Sequence, residues 1–379
     1  AETPAQWVES FWPAAKAAKV SRKTYHRALA DFTPDPEVLT RAANQAEFKT
    51  PMGVYIGRSV SDERITDGKA MLDKYGGTLR RIEARYGVDK FVVLAIWGVE
   101  SHYGKIFEKP DALKGTIRSL ATLAYAGGSR AKFGRTQLLA ALRILQRGDV
   151  GLDGMTGSWA GAMGHTQFIP TTYNAYAVDF DGDGRRNVWT SIPDALASTA
   201  NYLRASKWGK GRTWGYEAIL PKGADAKALD GREKSLAEWK KLGVTRAGGA
   251  AFPRPGDRAT LFLPSGATGP AFLILGNFRV IKRYNNANSY ALAVGYLSDR
   301  LRGGKALEGE WPEAERPVSD AQRLRVQKLL SDRGLYSGPI DGKIGKDTRE
   351  AIKVYQKKVG LAENGFETFG LLQALEENR

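Results

Sequence analysis

The chain contains no cysteine among its 379 residues. This absence excludes disulfide bonds, thiol catalysis and cysteine-based zinc sites. Histidine is nearly as scarce, since only His26, His102 and His165 occur, and their spacing matches no metal-binding signature. We therefore expect surface or supporting roles for these side chains rather than metal ligation.

Long hydrophobic segments are also missing. The longest uninterrupted apolar run, from Phe91 to Val99, is far shorter than the roughly 20 residues that span a bilayer. The chain starts with Ala rather than Met and carries no basic and apolar leader, so we expect either a protein that is not secreted or a signal peptide already removed.

Positive charge dominates, with a formal net charge of +16 and an isoelectric point near 9.8. Such a surface attracts polyanions. The basic residues are spread along the whole chain, without a Lys/Arg block, a zinc finger or an RNP-like motif, so nucleic-acid binding is weakly indicated. A bacterial cell wall, with its peptide carboxylates, is another polyanion that fits this charge.

Hydrophobic periodicity predicts a mainly α (α+β) protein. Helical patterns cover about the first 75 residues, residues 77–147, Pro193 to Ala205 and Ser289 to Leu301. Glycine-rich loops are predicted from Gly148 to Gly184, and short β-type runs at Ala259 to Leu263 and Ala271 to Leu275. A polar stretch with two prolines, 308–317, predicts an interdomain linker before a helical tail.

Glu100 ends an otherwise apolar segment for which Asp89 is a plausible N-cap. At helical spacing it shares a stripe with Val93, Ile96 and Trp97, and desolvation there is expected to raise its pKa. A carboxyl group protonated near neutral pH suits a general acid. A buried glutamate paired with an arginine, or one at a frayed helix end, explains this segment equally well.

Short polar and small residues accompany this acid. Ser101, directly beside Glu100, is predicted to bind a sugar hydroxyl or amide group. In the glycine-rich segment 157–173, small residues allow backbone to approach a ligand, while Gln167 and Tyr173 offer hydrogen bonds and stacking. The alternative is a purely structural glycine-rich loop.

The segment Asp179-Phe-Asp-Gly-Asp-Gly-Arg-Arg-Asn-Val-Trp189 matches the first half of an EF-hand loop. It predicts a structural Ca²⁺ site, although position 12 is Thr190 rather than the bidentate Glu. Asp194 from the following helix and the carbonyl of Arg185 are candidate further ligands. The alternative is an Asx/Gly turn that binds no ion.

Together, Trp97-Gly-Val-Glu-Ser-His-Tyr-Gly104, Gly161-Ala-Met-Gly-x-x-Gln-Phe-Ile-Pro170, the Asp179 loop, Pro193 to Tyr202 and Arg283-Tyr-Asn285…Tyr290 resemble the lytic murein transglycosylase B family. The resemblance covers roughly residues 1–305. The tail, with Gly338-Pro-Ile-Asp-Gly-Lys-Ile-Gly345 and Tyr355-Gln356, resembles a small three-helix peptidoglycan-binding module.

The resemblance implies a lysozyme-like α-helical catalytic core. The domain division expected on this basis comprises an N-terminal helical region at 1–76, the core at 77–214 and 277–305 with its EF-hand-like loop at 179–194, a small β-rich insert at 215–276, a linker at 306–317 and the peptidoglycan-binding module at 318–379.

The resemblance also implies that Glu100 cuts the β-1,4 bond between N-acetylmuramic acid and N-acetylglucosamine. The residues expected to line the sugar subsites are Ser158, Gln167, Tyr202, Tyr284, Asn285 and Tyr290. The calcium loop falls on Asp179, Asp181, Asp183, Arg185 and Asp194, with no organic cofactor. Peptidoglycan glycan strands are the expected partner, nucleic acid is not, and the chain is expected to be soluble in the periplasm of a Gram-negative bacterium.

Only one convincing catalytic acid is present, whereas a standard glycoside hydrolase needs two carboxylates. Glu100 is therefore expected to act first as acid and then as base for the C6 hydroxyl of the same muramic acid, giving a 1,6-anhydro sugar without water. Two rival interpretations remain. One is a hydrolytic muramidase with Glu108, Asp111 or a loop acid as second carboxylate, and the other is a non-catalytic wall-binding scaffold.

Overall fold

The computed structural model describes residues 2–43, 50–109 and 112–377. The chain forms two compact units, one of residues 1–47 and 70–207 and the other of residues 48–69 and 208–379. Residues 277–305 fall in the second unit with the sheet, and the finer domain division stays a prediction. The predicted fold class is confirmed, since the protein is mainly helical with a small sheet.

The helices, in chain order, are α1 (Pro4–Ala17), α2 (Arg22–Leu29), α3 (Pro36–Ala43), α4 (Met52–Ser59), α5 (Asp62–Tyr86), α6 (Lys90–Ser101), α7 (Thr116–Ala126), α8 (Ala131–Arg147), α9 (Pro170–Tyr176), α10 (Ile192–Ala205), α11 (Ala226–Leu229), α12 (Leu236–Lys241), α13 (Gly276–Tyr284), α14 (Asn288–Leu301), α15 (Asp320–Asp332), α16 (Lys346–Val359) and α17 (Phe369–Glu376). The strands are β1 (Lys114–Gly115), β2 (Thr156–Gly157), β3 (Gly215–Ile219), β4 (Glu233–Ser235), β5 (Thr245–Arg246), β6 (Arg258–Phe262) and β7 (Ala271–Ile274). No helix in the described ranges is long and apolar enough to cross a bilayer.

Helix α6 is the buried centre of the first unit. It begins as predicted at Asp89, whose carboxylate accepts a 2.8 Å hydrogen bond from the Phe91 amide. Every residue from 92 to 98 is buried, so the helix is apolar all round rather than striped. Helix α10 packs against it and brings the acidic loop that precedes α10 into the same unit.

Helices α7 and α8 of the same unit pack closely against each other. Gly134 makes the approach possible, because a Cβ at this position would lie 2.6 Å from the backbone nitrogen of Ala124. The short strands β1 and β2 then pair antiparallel, with Lys114 opposite Gly157. This pairing fixes the start of the glycine-rich segment.

In the second unit, five strands form an antiparallel sheet in the order β4-β6-β7-β3-β5. The two predicted β-type runs are confirmed as β6 and β7, which pair with Leu261 opposite Leu273. Alternation puts Ala259 and Leu261 in the core, where the indole of Trp239 donates a 2.9 Å hydrogen bond to the Ala259 carbonyl.

The C-terminal residues form the predicted three-helix module from α15, α16 and α17. Its core contains Val326, Leu330, Ile352 and Leu371, all nearly inaccessible to solvent. A capping box at Ser319 starts the first of these helices. The module therefore has a hydrophobic core of its own.

The stretch predicted as a linker, residues 308–317, is hydrogen-bonded to the sheet. Glu217 on β3 accepts hydrogen bonds from the amides of Gly309, at 2.7 Å, and Glu308, at 3.1 Å. Trp311 is 7% exposed, and Pro317 forms a β-bridge with Thr368 of the module. The sheet, the connecting stretch and the module are thus tied together within the second unit.

Candidate active site

Glu100 lies in the last turn of α6, where the helix stops abruptly. The next three residues after Ser101, which are His102, Tyr103 and Gly104, all have left-handed backbone with φ of 50°, 55° and 90°. Glu100 itself is half-buried, like Val99 and in contrast to the buried residues 92–98. Glu100 follows Ile96 and Trp97 at helical spacing in α6, as expected, but it is less buried than they are, and its raised pKa stays a prediction.

Ser101 is buried rather than directed at a ligand. It is 2% exposed, and its hydroxyl donates a 2.6 Å hydrogen bond to the carbonyl of His165. The predicted contact of Ser101 with a sugar is therefore not supported by its position. Its hydroxyl instead joins the turn that carries Glu100 to the glycine-rich segment.

His165 makes a second connection to α6. The indole nitrogen of Trp97 donates a 3.1 Å hydrogen bond to Nδ1 of His165, which must therefore be unprotonated. Burial lowers the pKa of His165 from 6.5 to about 4, so the ring is neutral at physiological pH. Phe107 packs edge-on against the same ring at 4.6 Å. The supporting role predicted for this histidine is consistent with these contacts.

The glycine-rich segment folds back on itself through bridges of Met163 with Gly157 and Phe168. Gly157 is required there, because a Cβ would lie 1.9 Å from the carbonyl oxygen of Ala162. Ser158 is half-buried, and its hydroxyl accepts a 3.2 Å hydrogen bond from the Ala162 amide. The segment is thus a structural loop that also leaves polar side chains at its surface.

Gln167 is held in an unusual conformation. Its φ is 54°, which is uncommon for a residue with a side chain, and its Nε2 donates a 2.9 Å hydrogen bond to the Gly164 carbonyl. The side chain remains half-buried. Its amide oxygen is the group left to accept a hydrogen bond from a ligand.

Tyr173 is part of the core. Its ring is completely buried, and its hydroxyl donates to the carbonyl of Arg186. Burial, followed by the nearby charge of Asp149, raises the pKa of Tyr173. These contacts contradict the prediction that the Tyr173 ring stacks on a sugar, because neither face is accessible.

The remaining predicted sugar-binding tyrosines have different environments. Tyr202 is half-buried and packs against Phe168 and Tyr176 at ring distances of 6.2 and 5.0 Å. In the second unit, Tyr284 and Tyr290 have nearly parallel rings 6.4 Å apart. Tyr290 is only 2% exposed, Tyr284 is half-buried, and the intervening Asn285 is exposed. Their roles in sugar binding stay predictions.

The acidic loop brings four carboxylates together. Oxygen atoms of Asp179, Asp181, Asp183 and Asp194 all lie within 4.8 Å of one another. The first three are supplied by the loop and the fourth by the first turn of α10. The spacing predicted from the sequence is therefore present in the fold, including the contribution of Asp194.

Asp194 is the anchor of this loop. It is inaccessible to solvent, and its two oxygens accept hydrogen bonds from the amides of Phe180, Asp181 and Asn187 at 2.7, 3.2 and 2.8 Å. Burial raises its pKa despite these hydrogen bonds, and the charge of Asp181 acts in the same direction. A buried carboxylate beside three other acids is the donor set that a hard cation such as Ca²⁺ prefers.

The other carboxylates of the loop accept hydrogen bonds from the loop backbone. Asp179 accepts hydrogen bonds from the amides of Gly182 and Gly184 at 2.7 and 2.9 Å. Asp183 accepts one from the amide of Arg185 at 2.8 Å. The four carboxylates of the loop therefore form a candidate cation site.

Sequence reasoning missed a buried ion pair behind this loop. Asp149 is 5% exposed and pairs with Arg186, whose guanidinium approaches at 3.0 Å. Arg186 also lies over the ring of Tyr173 at 4.9 Å. An acid just after a helix and an arginine 37 positions later give no periodic signal, so only the fold reveals the pair.

Of the acids considered as a second carboxylate, Glu108 is exposed in the short turn after α6, and Asp111 lies outside the described residues. Asp179, Asp181 and Asp183 are tied to backbone amides of the loop. Among the described residues of this set, none is identified by its position as a second catalytic carboxylate.

Comparison with known proteins identifies the family of the chain. Residues 3–299 match the transglycosylase SLT domain family, and residues 319–375 match a peptidoglycan binding domain. Membrane-bound lytic murein transglycosylase B of Escherichia coli strain K12 is 32% identical over 251 residues, which span 65% of this chain and 66% of that relative.

Solved structures extend the likeness to both units. SltB3 from Pseudomonas aeruginosa, in complexes with NAG-NAM-pentapeptide and NAG-anhNAM-pentapeptide, is 46% identical with a TM-score of 0.78, over 99% of this chain and 100% of that one. Slt35 of Escherichia coli in complex with calcium is 27% identical with a TM-score of 0.64, over 79% of this chain and 93% of that one. The family model matches more than half of the chain, and the resemblance predicted from the motifs is confirmed. The chain belongs to the transglycosylase SLT domain family of lytic murein transglycosylases.

Proposed function

We propose that Glu100 is the catalytic group with which this lytic transglycosylase cleaves the β-1,4 bond between N-acetylmuramic acid and N-acetylglucosamine in peptidoglycan. The observation that carries the proposal is the half-buried position of Glu100 at the abrupt end of a buried helix. Partial desolvation favours the protonated carboxyl group, while the exposed part of the side chain stays within reach of a substrate.

In the proposed reaction, the Glu100 carboxyl group donates its proton to the glycosidic oxygen as the bond from C1 of muramic acid breaks. The resulting carboxylate then removes the proton from the C6 hydroxyl of the same sugar, whose oxygen forms a new bond to C1. The products are a free 4-hydroxyl on N-acetylglucosamine and a 1,6-anhydro sugar. Glu100 regains its proton, so no water is consumed.

The environment of Glu100 supports precise positioning of its carboxyl group. Ser101 and Trp97 both bind His165, so the turn that carries the acid is fixed to the glycine-rich segment at two points. Such fixation matters because a catalytic group displaced by about 1 Å loses much of its effect. We assign positioning roles to Ser101 and His165 on this basis.

The proposed sugar-binding residues are those whose polar groups remain accessible or half-buried. In the first unit these are Ser158, Gln167 and Tyr202, and in the second unit Tyr284 and Asn285. Tyr290 is proposed to orient the ring of Tyr284, to which it lies nearly parallel. Aromatic faces and amide groups of this kind are suited to sugar rings and their N-acetyl groups.

We further propose that the acidic loop binds Ca²⁺ in a structural role. The candidate ligands are Asp179, Asp181, Asp183, Asp194 and the carbonyl of Arg185, and the Slt35 structure in complex with calcium supports this choice. The cation would neutralise the carboxylates and stabilise the loop that leads into α10. No step of the cleavage reaction involves it.

The C-terminal module is proposed to hold the enzyme on peptidoglycan, and the proposed location is the periplasm of a Gram-negative bacterium. The family match of residues 319–375 supports the first proposal. The second rests on the cell-wall substrate and on the relative from Escherichia coli.

Digestion of purified sacculi followed by mass spectrometry tests the reaction. Wild-type protein should release products with 1,6-anhydromuramic acid ends, and Glu100→Gln should release none while still binding sacculi. Products with reducing muramic acid ends would establish the hydrolytic muramidase instead. A wild-type protein that binds without any cleavage would favour the scaffold.

A further inference from the structure

Three arginines of the first unit surround a pair of aromatic rings next to the acidic loop. The guanidinium of Arg81 lies 6.0 Å from the ring centre of Phe180, and that of Arg85 lies 5.8 Å from the same ring. Arg85 also lies 5.5 Å from the ring of Tyr86, as does Arg204. The two rings are 6.5 Å apart. We call this group the arginine surface.

The arginines of this surface make no ion pair with the described residues. All three arginines are exposed. Glu83, the acid that lies between Arg81 and Arg85 in the sequence, pairs instead with Lys90 at 3.7 Å. Arg81 makes one weak hydrogen bond, to the hydroxyl of Thr78 at 3.4 Å.

Stability explains this arrangement only in part. Arg85 and Arg204 lie in the last turns of α5 and α10, where a positive charge interacts favourably with the helix dipole. Arg81 lies one turn earlier, four residues before Arg85, and like charges at this spacing destabilise a helix. The third arginine therefore requires an explanation other than helix stability.

The arginine side chains are held in place by the rings beneath them. A guanidinium over an aromatic face keeps its N–H groups free to donate outward. The rings are themselves fixed, because Tyr86 is 7% exposed and the amide of Phe180 is bound by Asp194 at 2.7 Å. Each guanidinium thus loses little freedom on binding an anion, which favours binding.

We propose that the arginine surface, which includes Phe180 of the acidic loop but none of its carboxylates, binds the carboxylates of peptidoglycan stem peptides. The proposal rests on the proposed function, since it takes the cell wall as the substrate. Carboxylates fit because a guanidinium forms paired hydrogen bonds with their two oxygens. Single contacts of this kind are weak at an exposed surface, but a sacculus presents many stems at once.

The test is binding to intact sacculi in a Glu100→Gln background, so that cleavage does not interfere. The variant combines Arg81→Gln, Arg85→Gln and Arg204→Gln. The matched control combines Lys16→Gln, Arg27→Gln and Arg143→Gln, which removes the same charge from exposed positions of the same unit. Melting curves of both variants establish that they are folded.

We expect the arginine-surface variant to bind sacculi about tenfold more weakly at low salt, because the substitutions remove three weak ionic interactions at once. The control is expected to bind less than about threefold more weakly. The difference between the variants should disappear on sacculi whose stem carboxylates have been amidated. Binding is measured without turnover. The result therefore tests the arginine surface even if the proposed reaction is wrong.

Equal losses of affinity in the two variants would show that only the net charge of the protein matters. This outcome would overturn the proposal. A difference that persists on amidated sacculi would exclude carboxylates as the ligand. A variant that keeps its binding to sacculi but loses binding to vesicles of phosphatidylglycerol in phosphatidylcholine would assign the arginine surface to lipid instead. In wild-type background, cleavage of glycan strands without stem peptides should be unchanged.

Discussion

Arg58 in α4 and Glu367, two residues before α17 of the C-terminal module, form a two-point ion pair across 309 positions of sequence. Nε of Arg58 donates to one carboxylate oxygen at 2.7 Å and Nη2 to the other. The Glu367 side chain is 2% exposed and that of Arg58 is 28% exposed. This pair holds the module to a helix that precedes the whole core in the sequence.

Replacing Arg58 by Ala is expected to lower the free energy of unfolding of the second unit by about 3 kcal/mol, because a buried carboxylate loses its cation. Urea unfolding measures the change. The control is Arg22→Ala, which breaks an exposed pair with Glu9 and should have little effect. Equal effects of the two substitutions would contradict the role assigned to the buried pair.

Ser101→Ala is expected to reduce kcat about tenfold with little change in KM, because the turn that carries Glu100 loses its bond to His165 while substrate contacts remain. Steady-state kinetics on soluble glycan strands separate the two constants. Ser119→Ala is the matched control, since this serine is 1% exposed and its hydroxyl has no hydrogen-bond partner in the described residues. A change in KM alone would indicate that Ser101 contacts substrate directly.

The stability of the first unit should fall as the pH drops from 6.5 toward 4. The folded-state pKa of His165 is lowered to about 4, so the unfolded chain binds a proton over this range that the folded chain does not. Stability from the neutral ring is fully present above pH 6.5 and decreases by about 3 kcal/mol by pH 4. Urea unfolding at several pH values should show this fall of the free energy of unfolding in the wild type. The control His26→Gln, at an exposed position, should show the same fall, whereas His165→Gln should not.

Calcium is expected to raise the melting temperature at pH 7. At a free concentration about 100-fold above the dissociation constant the gain is about 2.7 kcal/mol. Asp183→Asn removes one candidate ligand and should abolish most of the rise, whereas Asp153→Asn, an exposed acid outside the loop, should retain it. No rise in wild type, and no heat in calorimetry, would remove the proposed site.

Without the cation, the loop should have the opposite pH dependence to His165. Burial raises the pKa of Asp194, so the protonated form is favoured in the folded state. This contribution to stability is present below the usual pKa of aspartate and is lost as the pH rises through the raised value. Calcium should therefore stabilise most at neutral pH and least in acid, which melting curves across this range would reveal.

Local patterns in the sequence predicted the elements that depend on near neighbours. The N-cap at Asp89 and the four-carboxylate loop both follow from residues within about one helix of each other. The hydrogen bonds of Ser101 and Tyr173 could not be predicted in this way, because their partners are 64 and 13 positions away in irregular backbone. Polarity alone does not indicate whether a hydroxyl faces a ligand or a buried carbonyl.

The hydrogen bonds of Glu217 bear on where this chain can be shortened. Its carboxylate is partly buried, burial raises its pKa, and two of its partners are the amides of Glu308 and Gly309 in the stretch that joins the sheet to the module. A chain that ends before residue 308 would leave this acid without them. A truncation that removes only the module should therefore keep the chain through Gly309. The first residues of the stretch predicted as a linker belong structurally to the sheet.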